Sequence, residues 1–323
     1  METKPRRSKA PAASSPRRRR LPGDPATRYA KAVVSGKTIA GPHVRAACAR
    51  HIKDLEEGAA RGLIWDQEAV VHALAFFTEV LCLNGGEYEG KPFELLAWQR
   101  FVVGSIFGWK TVDGHRRFRV AYVETAKGSG KSPLAAGIGM YGMVADNEAR
   151  AEIYAAATKK DQAMVLFRDA VAMWQLSPEL RSRLKTSGTG ENVWNLAYLE
   201  KGAFFRPISA DDGQSGPRPH IALIDEAHEH RNNTVVGMMR AGTKSSRQAL
   251  IFMITNSGSS KTSTCWGYHD YGAKIADGIL EDDTFFSYIC SLDVGEDPIR
   301  NEKCWAKANP SLQEADLPGI KHL

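Results

Sequence analysis

The sequence contains few cysteines and no long apolar run. Its five cysteines are odd in number, widely scattered and never arranged as Cys-x-x-Cys, which predicts reduced, mostly buried thiols rather than a disulfide framework or a zinc site. No stretch approaches the roughly 18 consecutive apolar residues that a membrane helix needs. The basic first residues are not followed by the apolar run of a secretion signal, so we expect a soluble, unexported, cytoplasmic protein.

Positive charge is concentrated at the start of the chain. Residues 1–20 carry eight lysines and arginines against one glutamate, whereas the remaining chain is nearly neutral despite the overall charge of +6. This segment is also rich in Pro, Ser and Ala and cannot bury enough apolar surface to offset its ordering entropy, which predicts a disordered basic tail over 1–27. Two functions remain open for the tail: a solubilising segment, or an arm that binds phosphates without sequence preference.

Hydrophobic spacing changes along the rest of the chain. Apolar residues recur at helical intervals over 29–65, 66–81 and 95–107, which predicts a helical N-terminal subdomain over 28–115. From residue 116 to 292, short apolar runs alternate with longer amphipathic segments, as in strand–helix–strand units of a parallel sheet. We assign 293–323 to a linker.

The expected elements of the 116–292 region follow from these runs. Strands are predicted at 118–123, 152–156, 221–224 and 249–254, and helices at 132–146 and 160–174. Two shorter strands, at 193–198 and 203–207, are predicted to form an antiparallel addition.

The strongest local motif is the run VETAKGSGKS at 123–132, which follows a predicted strand and opens a predicted helix. Glycines let the backbone approach closely, so amide hydrogens and the helix N-terminus can surround a phosphate. Lys131 is predicted to reach the β and γ phosphates, and the Ser132 hydroxyl to ligate Mg²⁺. Thr125 stands where the usual pattern has glycine, so an ordinary surface turn is the alternative. The predicted nucleotide-binding residues of the loop are Gly128, Ser129, Gly130, Lys131 and Ser132.

Two further predicted strands end in polar residues. The strand at 221–224 is followed by Asp225 and Glu226, at the sheet edge where open α/β sheets bind ligands. Asp225 is predicted to hold Mg²⁺, and Glu226 to orient and deprotonate the attacking water. The strand at 249–254 is followed by Thr255 and Asn256, which could hydrogen-bond the γ-phosphate or its water. The alternative for both pairs is a solvated turn.

Three other features support weaker predictions. The amide of Gln99 could recognise the adenine edge of a nucleotide, or it could simply be an exposed helix residue. Lys127 could place an additional positive charge on the γ-phosphate during transfer. His228 and His230 match no common metal-ligand spacing, so a solvated pair is favoured over a metal site.

In their order along the chain, these motifs resemble the large terminase subunit of tailed bacteriophages. The similarity covers roughly 29–312 and also includes the segments at 157–163 and 305–312. It is carried by Trp98-Gln99, by Lys127 ahead of Gly130-Lys131-Ser132, by Asp225-Glu226-Ala227-His228 and by Thr255-Asn256. The expected fold is therefore a three-layer α/β P-loop NTPase of the RecA/ASCE type, with a mainly parallel central sheet preceded by a helical subdomain.

The resemblance implies an ATPase that uses ATP and Mg²⁺ to move double-stranded DNA. Members of the family act as a ring of identical subunits at the portal protein of an empty capsid, together with a small terminase subunit, in the bacterial host cytoplasm. They normally add a nuclease domain, but the residues after Pro310 are too few to form one. We therefore expect no nuclease activity from this polypeptide.

Two alternatives remain beside the motor. The letters of Asp225-Glu226-Ala227-His228 also occur in one class of nucleic-acid helicases, although those enzymes need a second motor domain. A catalytically idle, DNA-binding prophage remnant is the other alternative. A ring motor would also use an arginine from a neighbouring subunit, and the sequence leaves Arg218, Arg240 and Arg247 as equal candidates.

Overall fold

The central sheet of this protein is mainly parallel and carries helices on both faces. The computed structural model describes residues 24–209, 216–230, 233–258 and 260–313. Of the predicted basic tail over 1–27, residues 1–23 lie outside the described residues. None of the helices in the described ranges is long and apolar enough to cross a membrane.

Ten strands occur in the described ranges, and eight of them form the central sheet. They are β1 Leu63–Trp65, β2 Trp109–Thr111, β3 Val120–Glu124, β4 Glu152–Ala157, β5 Lys185–Ser187, β6 Asn195–Tyr198, β7 Ala203–Ser209, β8 Ile221–Ile224, β9 Leu250–Thr255 and β10 Phe285–Ile289. The sheet order is β10-β3-β9-β8-β4-β7-β6-β5, with all pairs parallel from β10 to β7 and antiparallel beyond β7. The other two strands, β1 and β2, form a separate antiparallel pair.

The helices alternate with the strands in the way that a parallel sheet requires. They are α1 Pro25–Val34, α2 Pro42–Glu57, α3 Gln67–Val80, α4 Ala97–Gly108, α5 Lys131–Val144, α6 Lys160–Leu176, α7 Pro178–Arg183, α8 Thr234–Gly242, α9 Thr264–Ala276 and α10 Trp305–Ala308. Proline begins α1 and α2, where the missing amide hydrogen costs nothing, and Asp24 caps α1 by accepting from the Thr27 amide.

Alternation of side chains along the strands separates two hydrophobic layers. In β3, Ala121 and Val123 pack on the face covered by α5 and α6, whereas Tyr122 packs on the face covered by α8 and α9. Buried residues of α1 to α4 belong to the first of these layers. The predicted three-layer α/β fold, preceded by helices, is therefore confirmed.

Several elements differ from the sequence-based expectation. The segment 29–65, predicted as helical, contains most of α1 and all of α2 as separate helices, because Pro42 begins a new helix after Gly41. The helical prediction is wrong for its last residues, 63–65, which form β1. The strand predicted at 203–207 is antiparallel to β6 as expected, but it also pairs in parallel with β4 and so belongs to the main sheet. The edge strand β10 was not predicted. Whether 28–115 forms a subdomain of its own stays a prediction, since its helices share a buried layer with the sheet.

Charged side chains attach the N-terminal helices to the sheet. The buried Arg117 guanidinium donates to Asp54 of α2 at 2.7 Å and to Asp283 at 2.6 Å. Its plane also lies over the rings of Trp109 and Phe118. Removal of one partner would leave the other as a desolvated buried charge, so the Arg117–Asp54 pair contributes to the docking of α2.

His51 occupies the centre of the helical layer as a neutral side chain. Its Nδ1 accepts a hydrogen bond from the Trp109 indole at 3.0 Å, which leaves Nε2 to donate to the Thr27 hydroxyl at 3.0 Å. Burial is the main cause that lowers the pKa of His51 from 6.5 to about 4. Protonation of Nδ1 would break the bond from Trp109, so the folded protein disfavours the imidazolium.

This burial predicts a specific loss of stability in acid. In the unfolded chain His51 takes up a proton near pH 6.5, whereas in the folded protein it does so only near pH 4, so stability falls as the pH drops between these values. At pH 5 the contribution amounts to roughly 2 kcal/mol. We expect His51→Gln to reduce the loss of unfolding free energy between pH 7 and pH 5 by about that amount. Urea unfolding at both pH values measures it.

The control is Val71→Ala, at an exposed position of α3 where no titratable group is removed, so the pH dependence of the wild type should be retained. An identical pH dependence in the wild type and His51→Gln would contradict the assignment.

Candidate active site

Three neighbouring strands bring the predicted site residues to one edge of the sheet. The strand β9 lies between β3 and β8, and all three are parallel, so their carboxyl ends meet. The register places Glu124 opposite Thr255 and Ile224 opposite Met253. The loop after β3, the acidic pair after β8 and the polar pair after β9 therefore lie side by side.

The loop after β3 has the backbone geometry that phosphate binding requires. Gly128 and Gly130 adopt φ values of 79° and 82°, a left-handed conformation that favours glycine. Gly130 immediately precedes α5, whose first residue is Lys131. The helix has 14 residues, and the amide hydrogens of its first turn have no partner within the helix. These amides therefore lie directly after the glycine-rich turn.

Thr125 stabilises the loop at the position where the usual motif has glycine. Its side chain is buried and forms a hydrogen bond with the hydroxyl of Ser129 across the loop. Its amide donates to the carbonyl of Thr255 at 3.2 Å, which extends the pairing of β3 with β9. The departure from the usual motif thus adds contacts within the loop.

The ammonium group of Lys131 lies at the centre of the site. It donates to the carbonyls of Thr125 at 3.0 Å and Ala126 at 2.8 Å, and to Oδ1 of Asn256 at 2.7 Å. Burial lowers the pKa of Lys131, while the charges of Glu226 and Asp225 oppose this shift. Asn256, at the end of β9, therefore contacts the loop through Lys131.

Ser132 and Asp225 form a pair of oxygen donors suited to Mg²⁺. The Ser132 hydroxyl lies 3.4 Å from Oδ2 of Asp225, and the carboxylate also accepts the Glu226 amide at 2.8 Å. Burial, reinforced by the neighbouring Glu226 charge, raises the pKa of Asp225 to about 6. A cation near this carboxylate would offset both effects, and a hydroxyl with a carboxylate is an oxygen set that Mg²⁺ accepts.

Glu226 is held in an unusual backbone conformation. Its φ of 44° and ψ of 54° are left-handed, which is uncommon for a residue other than glycine. The 3-10 turn Ala227–Glu229 follows directly. Oε2 of Glu226 is buried, and within the described ranges no group donates a hydrogen bond to it. Nδ1 of His228 lies 3.2 Å from this oxygen without the geometry of a hydrogen bond, so Oε2 can still accept one.

Gln99 and Lys127 occupy different positions relative to the loop. Gln99 is buried, accepts from the Leu96 amide at 2.9 Å and donates to the Gly130 carbonyl at 3.4 Å. These bonds favour a role in holding the loop, so recognition of adenine by Gln99 remains a prediction. Lys127 is exposed on the loop, and its action on a phosphate stays a prediction.

The sequence did not indicate two groups of residues that adjoin the loop. The first is the C-terminal segment 302–313: the Ala308 carbonyl accepts from the Ala126 amide at 3.3 Å, and the Ser311 hydroxyl donates to the Ser129 carbonyl at 3.4 Å. The second is the buried Glu124, which accepts from His269 at 2.9 Å and from the hydroxyl of Tyr122 at 2.8 Å.

The predicted linker therefore contacts the phosphate loop up to residue 313, and its last residues, 314–323, lie outside the described ranges. No local sequence signal indicates such contacts, because their partners are distant in the chain. The hydrogen bond that His269 donates to Glu124 raises the pKa of His269, which favours its imidazolium form.

The two histidines after Glu226 do not share a common ligand position. His228 contacts the Thr255 hydroxyl, whereas the buried His230 contacts the Asp225 carbonyl at 3.1 Å. No group of three or more potential metal-binding His, Cys, Asp or Glu side chains occurs among the described residues.

Comparison with known proteins identifies the family. The family model of the terminase large subunit ATPase domain matches residues 97–274, a span that contains the glycine-rich loop and both polar strand ends. Protein YmfN of Escherichia coli strain K12 is 30% identical over 137 residues, which are 42% of this chain and 30% of YmfN. The crystal structure of the HK97 bacteriophage large terminase is similar with a TM-score of 0.63 at 19% identity, covering 75% of this chain and 48% of that one.

This chain spans less than half the length of either relative. The similarity to the HK97 protein supports the fold, and the family match covers more than half of the chain. These similarities give no support to the helicase alternative. The chain therefore belongs to the family of terminase large subunit ATPase domains.

Proposed function

We propose that this protein hydrolyses ATP with Mg²⁺ and uses the energy to move double-stranded viral DNA into a procapsid. The observation that supports hydrolysis most directly is the meeting of three groups at one sheet edge: the ammonium of Lys131, the oxygens of Ser132 and Asp225, and the free carboxylate oxygen of Glu226. These are the groups that phosphoryl transfer to water requires.

In this proposal the loop and Lys131 bind the phosphates of ATP. Backbone amides after Gly128 and at the start of α5 donate to phosphate oxygens, and the exposed Lys127 adds a positive charge. Phosphate oxygens compete with Thr125, Ala126 and Asn256 for the three hydrogens of the Lys131 ammonium. Binding of the nucleotide thereby changes the contact between the loop and the end of β9.

Ser132 and Asp225 are the residues that would hold Mg²⁺, which neutralises charge on the phosphates when it is bound. Glu226 orients the attacking water and accepts its proton through the buried Oε2. Thr255 and Asn256, at the end of β9, respond to the γ-phosphate through Lys131. Catalysis rests on the placement of charges, because no covalent intermediate is needed.

The action on DNA is a proposal that rests on family membership. The family is that of terminase large subunit ATPase domains, and the similar HK97 structure is a bacteriophage large terminase. We therefore propose a homo-oligomeric ring acting with a portal protein and a small terminase subunit in the bacterial host cytoplasm. That this polypeptide cleaves no DNA remains a prediction. The idle prophage remnant is the second candidate, and turnover of ATP distinguishes the two.

Removal of single charges tests the hydrolysis. We expect Lys131→Ala to lose nucleotide binding and turnover, and Glu226→Gln to bind ATP normally while its turnover falls by about 100-fold or more, because only the proton acceptor is lost. Phosphate release by the purified chain, with and without double-stranded DNA, measures turnover, and a fluorescent ATP analogue measures binding.

The matched control is Glu229→Gln, which removes an exposed carboxylate three residues away and should retain turnover. Wild-type turnover in Glu226→Gln would exclude Glu226 as the base. Binding of ATP by the wild type without any turnover would favour the idle remnant.

A second test concerns the cation. Because Ser132 and Asp225 share the proposed Mg²⁺ position, we expect Ser132→Ala to raise the Mg²⁺ concentration for half-maximal turnover by about 10-fold or more, and Asp225→Asn to abolish turnover. Titration of Mg²⁺ at saturating ATP measures this. The control is Ser129→Ala in the same loop, whose hydroxyl contacts Thr125 instead. A Mg²⁺ requirement in Ser132→Ala equal to that of the wild type would contradict the assignment.

A further inference from the structure

We propose that His228 is a positioning residue for ATP hydrolysis, which ties the base Glu226 to the end of β9. The inference rests on the proposed function, since it assigns a task within the same site. Its basis is a single imidazole nitrogen that lies between two groups of the site: Nδ1 of His228 is 3.2 Å from Oε2 of Glu226 and 3.0 Å from the Thr255 hydroxyl.

The backbone fixes His228 in this place. Its amide donates to the Thr255 hydroxyl at 3.1 Å, so backbone and side chain of His228 both contact one oxygen of β9. The turn itself is closed by the Glu229 amide, which donates to the Glu226 carbonyl at 2.8 Å. Only about 24% of the His228 side chain is exposed, which distinguishes it from a solvated turn residue.

The hydrogen-bond inventory defines what the nitrogen can do. The Thr255 hydroxyl donates its one hydrogen to the Asn256 carbonyl at 2.8 Å, so its lone pairs remain for donors from His228. Nδ1 of His228 is accordingly the protonated nitrogen. Its hydrogen bond is to Thr255, and it lies 3.2 Å from Oε2 of Glu226 without forming a hydrogen bond there. A polar N–H group at this distance attracts the carboxylate and favours side-chain orientations of Glu226 that keep Oε2 beside His228.

Through Thr255 the base is connected to the phosphate-binding lysine. Asn256 follows Thr255 in the chain, and its Oδ1 accepts from Lys131 at 2.7 Å. A contiguous set of contacts therefore runs from Lys131 through Asn256, Thr255 and His228 to Glu226. When phosphate oxygens compete for Lys131, the end of β9 can move the base by way of His228.

His230 provides a contrast within the same turn. It is more deeply buried than His228, and its Nε2 contacts the main-chain oxygen of Asp225 rather than a side chain of the site. This contact holds the backbone after β8. Of the two histidines, only His228 has the geometry to act on the carboxylate of Glu226.

Two substitutions of His228 distinguish the effect of its Nδ1 hydrogen bond from the effect of its aromatic ring. In His228→Phe the ring remains and the donor is lost, and we expect kcat to fall about 10- to 100-fold while the dissociation constant of the nucleotide stays within about 2-fold. In His228→Asn an amide nitrogen can occupy the place of Nδ1, and we expect most of kcat to return. Loss of nucleotide affinity equal to the loss of kcat would instead indicate a merely structural role and overturn the proposal.

A double-mutant cycle tests the connection to β9. Thr255→Val removes the hydroxyl that His228 contacts, so the combined His228→Phe, Thr255→Val protein should lose much less kcat than the product of the two single effects. Multiplicative effects would overturn the connection. The remote control is His115→Phe, in the turn ahead of β3, which should leave kcat unchanged.

The outcomes distinguish this inference from the proposed function. If the wild type hydrolyses Mg-ATP and His228→Phe does so equally well, the inference fails and the ATPase assignment stands. If the wild type binds nucleotide without hydrolysing it under any DNA condition, both fail.

Discussion

The site depends on the parallel register of β3, β9 and β8. Because β9 lies between the other two and extends two residues beyond the partner of Ile224, its end adjoins both the loop after β3 and the acidic pair after β8. A slip of one residue would turn every side chain of β9 to the opposite face of the sheet. The buried residues of these strands resist such a slip, so the two hydrophobic layers also hold the site in register.

The charged ammonium of Lys131 is buried at this sheet edge, which is electrostatically unfavourable by itself. Burial disfavours its charge, yet three protein oxygens and the nearby carboxylates of Asp225 and Glu226 favour it. The same carboxylates repel each other, and burial together with this repulsion raises the pKa of Asp225. The charges of Lys131, Asp225 and Glu226 therefore influence one another directly.

Structure outside the sheet supports the loop from two directions. The indole of Trp98 in α4 stacks on Tyr288 of β10 with ring centroids 5.5 Å apart and donates to the Ser311 hydroxyl at 3.3 Å. Ser311 in turn contacts the carbonyl of Ser129 in the loop. The hydroxyl groups of Tyr29 and Tyr288 lie 2.7 Å apart, which includes α1 in the same cluster. The loop after β3 is thus connected through these contacts to both the N-terminal helices and the C-terminal segment.

The sequence by itself determined the features that depend on neighbours in the chain. Short apolar runs predicted β3, β4, β8 and β9, and the glycines before Lys131 and the carboxylates after β8 indicated the candidate site, because backbone conformation and strand direction are local properties. The tertiary structure alone decided which distant groups meet. The contacts of the 302–313 segment with the loop, the partner of Glu124 and the place of His228 against Thr255 all join residues that are 27 or more positions apart. Their energies depend on the packing of the whole fold, so no local pattern records them.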